Sequence, residues 1–360
     1  MNRTLRIHAF LTTTTPLHIS SGVQGSFDFE NGRASYKSGP GLTPCMLVQT
    51  LGIANDDSEF GSVQVPVIMA NNIMGRLRRR AAAEVLGVIE RKGERVKTGT
   101  YSALMCGAVS GNPDSEEPTF EEYRAARAHA YLGLFGGGPK LYRRHVHGFN
   151  AVPYTSGSRP MFARCKHPNF DEAVHAVRAG QEHHLTRAVL QNRNDDLREL
   201  VNLSLASKTI ENFTDEIVAR QSAIIDTQKQ KGAEKEKGAR VTTRSFTSFQ
   251  YVIPNVVFPL CWELREVTDA QLGLFLLALD AFAHNEELGG FGRNGFGRFT
   301  LTDVAVTDVD DALLADGLFQ NNRLNRSQPE VSEALAAWTA ESEAFTGSGL
   351  NDLFAAQTKA

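Results

Sequence analysis

The segment from Gly289 to Arg298 reads Gly-Gly-Phe-Gly-Arg-Asn-Gly-Phe-Gly-Arg and holds the spacing G-x-G-x-x-G at Gly290, Gly292 and Gly295. Its surroundings exclude the fold that this spacing first suggests. A dinucleotide-binding fold needs a strand before the glycines and a helix after them, so that pyrophosphate meets a helix N-terminus. Here the order is inverted. A helical apolar pattern (Leu272, Phe275, Leu276, Leu279, Phe282), opened by a capping box at Thr268 and Gln271, precedes the glycines. The strand-like Phe299-Thr300-Leu301 and Val304-Ala305-Val306 follow them. What the glycines still offer is close approach of backbone amides to an anion. Arg293 and Arg298 supply charge-assisted bonds, Asn294 sits between them in the loop, and Phe291 and Phe296 are available to stack on bases. A tight turn carrying solvated arginines is the plainer alternative.

Asn71-Asn72-Ile73-Met74-Gly75-Arg76-Leu77-Arg78-Arg79-Arg80 is a second cationic candidate. Either asparagine can cap a helix running to about Glu90. At about 100° per residue, Ile73, Met74, Leu77, Ala81, Val85 and Val88 share one apolar sector, and Arg76, Arg79 and Arg80 fall opposite it. A helix N-terminus, free amides, asparagine side chains and clustered arginines make an anion site. A solvated charged face explains the same pattern more plainly. The basic run from Lys229 to Arg244, with Phe246 and Phe249 after it, reads on its own as an exposed flexible loop.

Residues 4–19 alternate, with Leu5, Ile7, Ala9 and Leu11 on one face, so the chain opens on a long strand. Residues 20–62 form a glycine- and proline-rich excursion with a short apolar piece from Met46 to Ile53, and loops of that length are usually functional. Thr119 to Tyr131 reads as a helix stopped by Gly136-Gly137-Gly138-Pro139, and a second helical tract covers Asp171 to about Ala206. Residues 245–264 return to strand character, broken at Pro254-Asn255, as a hairpin or a kinked strand pair. Strand, excursion and helix at the start, with strand, helix and strand near the end, make two halves of a split β-α-β. The expected class is α+β and ferredoxin-like, with insertions in the middle.

Composition removes other classes. The chain of 360 residues is 41% hydrophobic and 22% charged, which excludes disorder as the whole story. No apolar run approaches the roughly 20 residues of a membrane span. Arg3 and Arg6 interrupt the N-terminus, so no signal peptide is expected and the cytoplasm is the default compartment. The net charge of -3 hides an uneven distribution, because residues 303–360 hold ten acidic groups against Arg323, Arg326 and Lys359. The remainder is mildly basic. Cys45, Cys106, Cys165 and Cys261 are too scattered for a zinc site or a disulfide scaffold. His145-Val146-His147 and His183-His184, with His175 upstream, lack the spacing of a helical metal site. The carboxylate pairs Asp56-Asp57, Asp195-Asp196 and Asp310-Asp311 have no partner in sequence that makes a catalytic dyad.

Five short segments, taken together with the terminal glycine loop, carry a family likeness. They are Leu17-His18-Ile19-Ser20-Ser21-Gly22, Val65-Pro66-Val67-Ile68, Asn71 to Arg78, Leu134-Phe135-Gly136 and Val252-Ile253-Pro254-Asn255-Val256-Val257-Phe258. The chain resembles the CRISPR-associated RAMP superfamily, specifically the backbone subunit that coats guide RNA, and most of all its type IV version. The resemblance implies an RRM-like palm split over residues 1–110 and 245–306, a helical insertion at 111–207, a protruding β-hairpin thumb within 208–258 and an acidic C-terminal extension at 307–360. It implies several copies along one guide RNA, a target strand paired to that guide, other CRISPR effector subunits as partners, and neither cofactor nor metal. Carried onto this sequence, Asn71, Asn72, Gly75, Arg76, Arg79 and Arg80 would hold guide phosphates. Gly290, Gly292, Arg293, Asn294, Gly295 and Arg298 would line the same path, joined by Arg244 and Phe246. The expected role is non-catalytic. The alternative is a RAMP-type endoribonuclease using Asp28, the residue nearest in position to the cleaving aspartate of related type III backbones though its surroundings Ser26-Phe27-Asp28-Phe29 depart from that motif, or a histidine such as His18.

Overall fold

Leu5, Ile7, Ala9 and Leu11 build the central strand, β1 (Arg3–Thr13), where all four side chains are at most 1% exposed. The structure is a computed structural model. It describes residues 2–21, 25–30, 33–38, 42–43, 45–51, 62–107, 118–138, 140, 142–155, 158–162, 167–169, 182–194, 208, 211–212, 215, 219, 222 and 244–354. These residues divide into two units, one comprising Met1–Ser21, Cys45–Arg187 and Tyr251–Ala360, the other Gly22–Pro44 and Ala188–Gln250.

In the first unit, β2 (Val146–Gly148), β3 (Val257–Val267), β4 (Phe299–Thr307) and β5 (Leu313–Ala315) complete an antiparallel sheet in the order β5-β4-β1-β3-β2. Ile7 stands opposite Trp262 on one side and Val306 on the other. Four helices, α1 (Ala70–Arg91), α2 (Thr98–Cys106), α3 (Phe120–Ala128) and α4 (Ala130–Phe135), fall between β1 and β2 in the chain. α5 (Asp269–Asn285) connects β3 to β4. Without the edge strand β5, the order 4-1-3-2 with helical crossovers after the first and third strands is the ferredoxin-like arrangement. The fold is α+β, as the order of elements in the sequence implies.

Three local expectations need correction. α1 begins at Ala70 rather than after an asparagine cap. Met69 holds the N-cap position without a side-chain bond, and the Ala70 amide donates instead to Asn150 Oδ1 at 2.9 Å. The helix expected from Thr119 to Tyr131 breaks at His129, which is extended (φ -69°, ψ 128°). Its Nδ1 accepts from the amides of Tyr131 and Leu132, so the break is also the cap of α4. Within the expected helical tract Asp171 to Ala206, Thr186–Asn194 is a strand, paired into a sheet that outweighs its local helical pattern; residues 171–181 and 195–206 of that tract lie outside the described residues.

Both faces of the sheet are covered. The first packs on α1 and α5 through residues such as Leu77, Val85, Leu272, Phe275 and Phe282. On the second face, Phe10 clusters with Val65, Val67, Val152, Tyr154 and Phe162. The His167 ring stacks on Phe10 at 4.1 Å and stands edge-on to His8 at 5.9 Å. A sheet that reads RNA by stacking bases on exposed aromatics needs this surface open. Around Phe10 it is closed, so bases cannot stack on that part of the sheet. His8 itself is fully buried, with Nε2 3.0 Å from Thr307 Oγ1, and burial, reinforced by the charge of His167 and Arg6, lowers its pKa to about 4. The folded value lies below the unfolded value of about 6.5, so the unfolded chain binds the extra proton first as the pH falls. This contribution is intact above about pH 6.5 and is lost towards pH 4, on the order of 2 kcal/mol by pH 4.5. The urea midpoint is expected to fall from pH 7 to pH 4.5, and to fall less in His8→Gln. An equal fall in that variant removes His8 from the account.

The acidic C-terminal stretch is built into this unit. α6 (Pro329–Ser342) crosses α5 at Gly273, where a Cβ would stand 2.2 Å from the Ala334 carbonyl oxygen, so only glycine permits the approach. Trp338 is buried with its ring edge-on to Phe345, and α7 (Gly347–Leu353) follows. Asp280 of α5 accepts from the Arg323 guanidinium at 3.1 and 3.2 Å and from the Leu324 amide at 2.8 Å, tying the extension down.

The second unit holds a hairpin of Gly25–Glu30 with Arg33–Ser38, in which Asp28 stands opposite Ser35. It also holds most of a three-stranded sheet in the order Leu42–Thr43, Arg244–Val252, Thr186–Asn194. The break at Pro254-Asn255 separates Arg244–Val252 from β3, and the two strands enter different sheets rather than forming a hairpin. Asn255 takes φ 63° in the turn, a conformation that asparagine tolerates.

Candidate nucleic-acid interface

The glycine loop is seated by the segment that leaves β1. Gly290 N donates to His18 O at 2.8 Å, Gly297 N to Pro16 O at 2.8 Å, and Thr14 N to Arg298 O at 2.9 Å. Arg298 N donates to Thr15 Oγ1 at 2.9 Å. Inside the loop, Asn294 N bonds Phe291 O and Gly295 N bonds Gly292 O, both at 2.8 Å, closing one short helical turn. With Phe296 N on Phe291 O at 3.4 Å, six loop amides are spent on the protein itself, and fewer are available to an anion than the glycine count implies. The rings of His18, Phe291, Phe296 and Tyr251 form a chain with centroid separations of 5.0, 6.1 and 5.9 Å. His18 is buried at 3% exposure, while the two phenylalanines keep part of each ring at the surface. Arg293 and Asn294 stand exposed on the turn.

The four arginines from Arg76 to Arg80 on α1 have different fates. Arg78 turns inward, bonding the carbonyls of Phe135 and Gly136 and lying 5.8 Å from the Phe135 ring centroid. Arg76 and Arg80, one turn apart, converge on Glu286 at the end of α5: Arg76 through Nη1, and Arg80 through Nε at 2.8 Å. Arg76 Nε also donates to Asn72 Oδ1 at 3.3 Å, so Asn72 serves a side chain within the helix rather than its cap. Asn71 is exposed at the first turn, and Gly75 faces the guanidinium of Arg79. Arg79 is exposed and, among the described residues, forms no ion pair. It lies about 60° around the helix from Arg76.

Glu286 and Glu287 join the two candidates. Glu286 holds α1 against the end of α5, and Glu287 Oε1 lies 3.4 Å from Arg298 Nε, whose side chain is 66% exposed. Both sequence motifs thus meet at Glu286-Glu287, where Arg76, Arg80 and Arg298 pair with the two carboxylates and Arg79 and Arg293 stand exposed. A cationic surface of this kind binds phosphate oxygens through charge-assisted hydrogen bonds without reading a base.

The RAMP superfamily profile matches residues 10–300. The chain belongs to this superfamily. The match ends at the start of β4, leaving α6 and α7 of this RAMP chain outside it. Among solved structures, the chain is similar to one from a Type IV-B CRISPR complex, with 16% identity, coverage of 84% of this chain and 90% of that one, and a TM-score of 0.45. It is also similar to a chain of the Type III-B Cmr-beta complex bound to cognate target RNA, with 11% identity, coverage of 85% and 62%, and a TM-score of 0.35. No curated protein matches the sequence.

Arg244 and Phe246 belong to the strand Arg244–Val252 of the second unit, and their side chains lie outside the described residues, as does the run from Lys229 to Val241. Among the described residues no group of histidine, cysteine and carboxylate side chains is arranged to hold a metal. No described helix is long and apolar enough to cross a membrane. Glu286 and Glu287 are the residues of this junction that motif reading missed. The available signal was an acidic pair directly before the glycine loop, with two arginines spaced four apart on the preceding cationic helix.

Proposed function

We propose that this RAMP chain is a guide-RNA-binding subunit of a CRISPR effector complex. It grips the phosphate backbone independently of sequence, with Arg79 and Arg293 as the primary contacts and Arg298 and the Arg76–Arg80 pair beside them. Asn71, Asn72, Gly75, Gly290, Gly292, Asn294 and Gly295 shape this contact. The observation that carries the proposal is the meeting of the arginine helix and the glycine loop across Glu286-Glu287, with Arg79 and Arg293 left exposed. Superfamily membership supports it. In this reading the ferredoxin-like unit is the palm, the segment carrying Arg244 and Phe246 belongs to the thumb, and several copies coat one guide in the cytoplasm, displaying its bases to a target strand without cutting it.

The test is the ratio of absorbance at 260 and 280 nm of protein purified from cells, followed by sizing and sequencing of released nucleic acid. Uniform short RNAs on a large particle are expected. A monomeric, nucleic-acid-free protein that does not assemble when guide RNA is added overturns the proposal. Cleavage of complementary RNA that is lost in Asp28→Ala with binding retained overturns its non-catalytic part.

A further inference from the structure

β2 is the edge strand farthest from β5, paired on one side only among the described residues. The residues that lead into and form it are Arg143-Arg144-His145-Val146-His147. Val146 is fully buried on the helix side, opposite Leu264. His147 stands opposite Glu263, and the His145 carbonyl accepts from the Arg265 amide at 3.0 Å, which sets both imidazoles on the other face. Arg127 of α3 reaches the His145 ring nitrogens at 3.3 and 3.4 Å.

The carboxylates here are already committed. Glu263 pairs with Arg265 at 2.5 Å and with Arg6 at 3.8 Å, and Glu266 pairs with Arg127. Arg143 is exposed and Arg144 half-exposed, and among the described residues neither forms an ion pair. The edge is therefore net cationic and faces solvent. It is also continuous with α1. Arg78 bonds the Gly136 carbonyl, and Gly136 packs so tightly on the strand entry that a Cβ there would stand 2.2 Å from Tyr142 O and 2.7 Å from Arg144 N.

We propose that this edge is a second nucleic-acid contact, in which Arg143 and Arg144 take backbone phosphates and His145 and His147 add protonated donors once phosphate is present. Guanidinium groups that form no ion pair among the described residues, beside a strand edge, suit a phosphodiester backbone. The electrostatics agree. Burial first, then Arg127, His147 and Arg143, hold the His145 pKa below its ordinary value. Burial, then Arg265 and Arg144, do the same for His147 against the opposing pull of Glu263. A bound phosphate reverses the sign of the charge facing both rings, so binding takes up protons and tightens as the pH falls from 7.5 to 5.5.

The inference is independent of the arginine helix and the glycine loop, and its test separates the two. Binding of a fluorescent single-stranded oligouridine to the full chain, stripped of nucleic acid, is measured against salt at pH 7.5 and 5.5. Arg143→Gln/Arg144→Gln is expected to lower the log–log salt slope by about 1.4, which is about 25-fold in affinity at 0.1 M salt relative to the 1 M limit. His145→Gln/His147→Gln is expected to lose the tightening between pH 7.5 and pH 5.5. An unchanged slope in the arginine variant, full tightening retained in the histidine variant, or RNA binding unaffected while polyglutamate binding is lost would each overturn the proposal. Arg79→Ala/Arg293→Ala, measured alongside, reports on the first site alone. A wild-type chain that does not bind oligouridine overturns both.

Discussion

Gly297→Val is expected to unseat the glycine loop, lowering stability by about 4 kcal/mol or more and abolishing RNA binding with it. Gly297 has φ 85°, and a Cβ there would stand 2.0 Å from Leu288 O. Two costs add. A β-branched residue in the left-handed region costs at least the 1–2 kcal/mol of that conformation. The overlap cannot be relieved by a rotamer, because the atom it meets is backbone, so the bond from Leu288 N to Gly297 O (2.9 Å) and the bond from Gly297 N to Pro16 O must open. Each such bond contributes about 1 kcal/mol net, and leaving its partners unsatisfied costs more. Gly295→Ala is the control. Its φ is 79°, yet no atom lies within 4 Å of the added Cβ, so only the strain of roughly 1 kcal/mol applies. Urea unfolding and oligonucleotide binding of the two variants separate these effects. A Gly297→Val protein as stable as Gly295→Ala refutes the seating role.

That contrast shows what the sequence makes legible and what it does not. The alternation at Leu5, Ile7, Ala9 and Leu11 and the apolar sector from Ile73 to Val88 are local periodic patterns, and both elements form as their periods require. The capping box at Thr268 and Gln271 is equally local, and both of its bonds are present. The split β-α-β order follows from these. His129 is different: it looks like the middle of a helix, but its ring serves the backbone of the next one, and no period encodes that. The strand Thr186–Asn194 exists through partners distant in sequence. At the candidate site, residue types and approximate positions were legible, because glycine and arginine clusters are rare enough to notice. Their charge state as a group was not. Whether an arginine faces phosphate or a carboxylate is decided by Glu286, more than 200 positions away from Arg76 and Arg80.

This neutralisation makes the five arginines unequal in a measurable way. Arg79→Ala/Arg293→Ala removes two exposed guanidinium groups that form no ion pair among the described residues, and is expected to flatten the salt dependence of single-stranded RNA binding by about 1.4 and to weaken binding about 25-fold at 0.1 M salt, equally for all guide sequences. Arg76→Ala/Arg80→Ala removes the same formal charge, yet both groups are already shared with a carboxylate that is 12% exposed. Its slope is expected to change by well under 1, while its thermal stability falls because Glu286 is left buried and unpaired. Glu286→Gln supplies the opposite sign: two guanidinium groups are released towards solvent, and the slope steepens by up to about 1.4. If the Arg76/Arg80 variant instead loses as much slope as the Arg79/Arg293 variant, Glu286 yields its arginines to the phosphates when RNA binds. The acidic residue is then the element that opens and closes the grip.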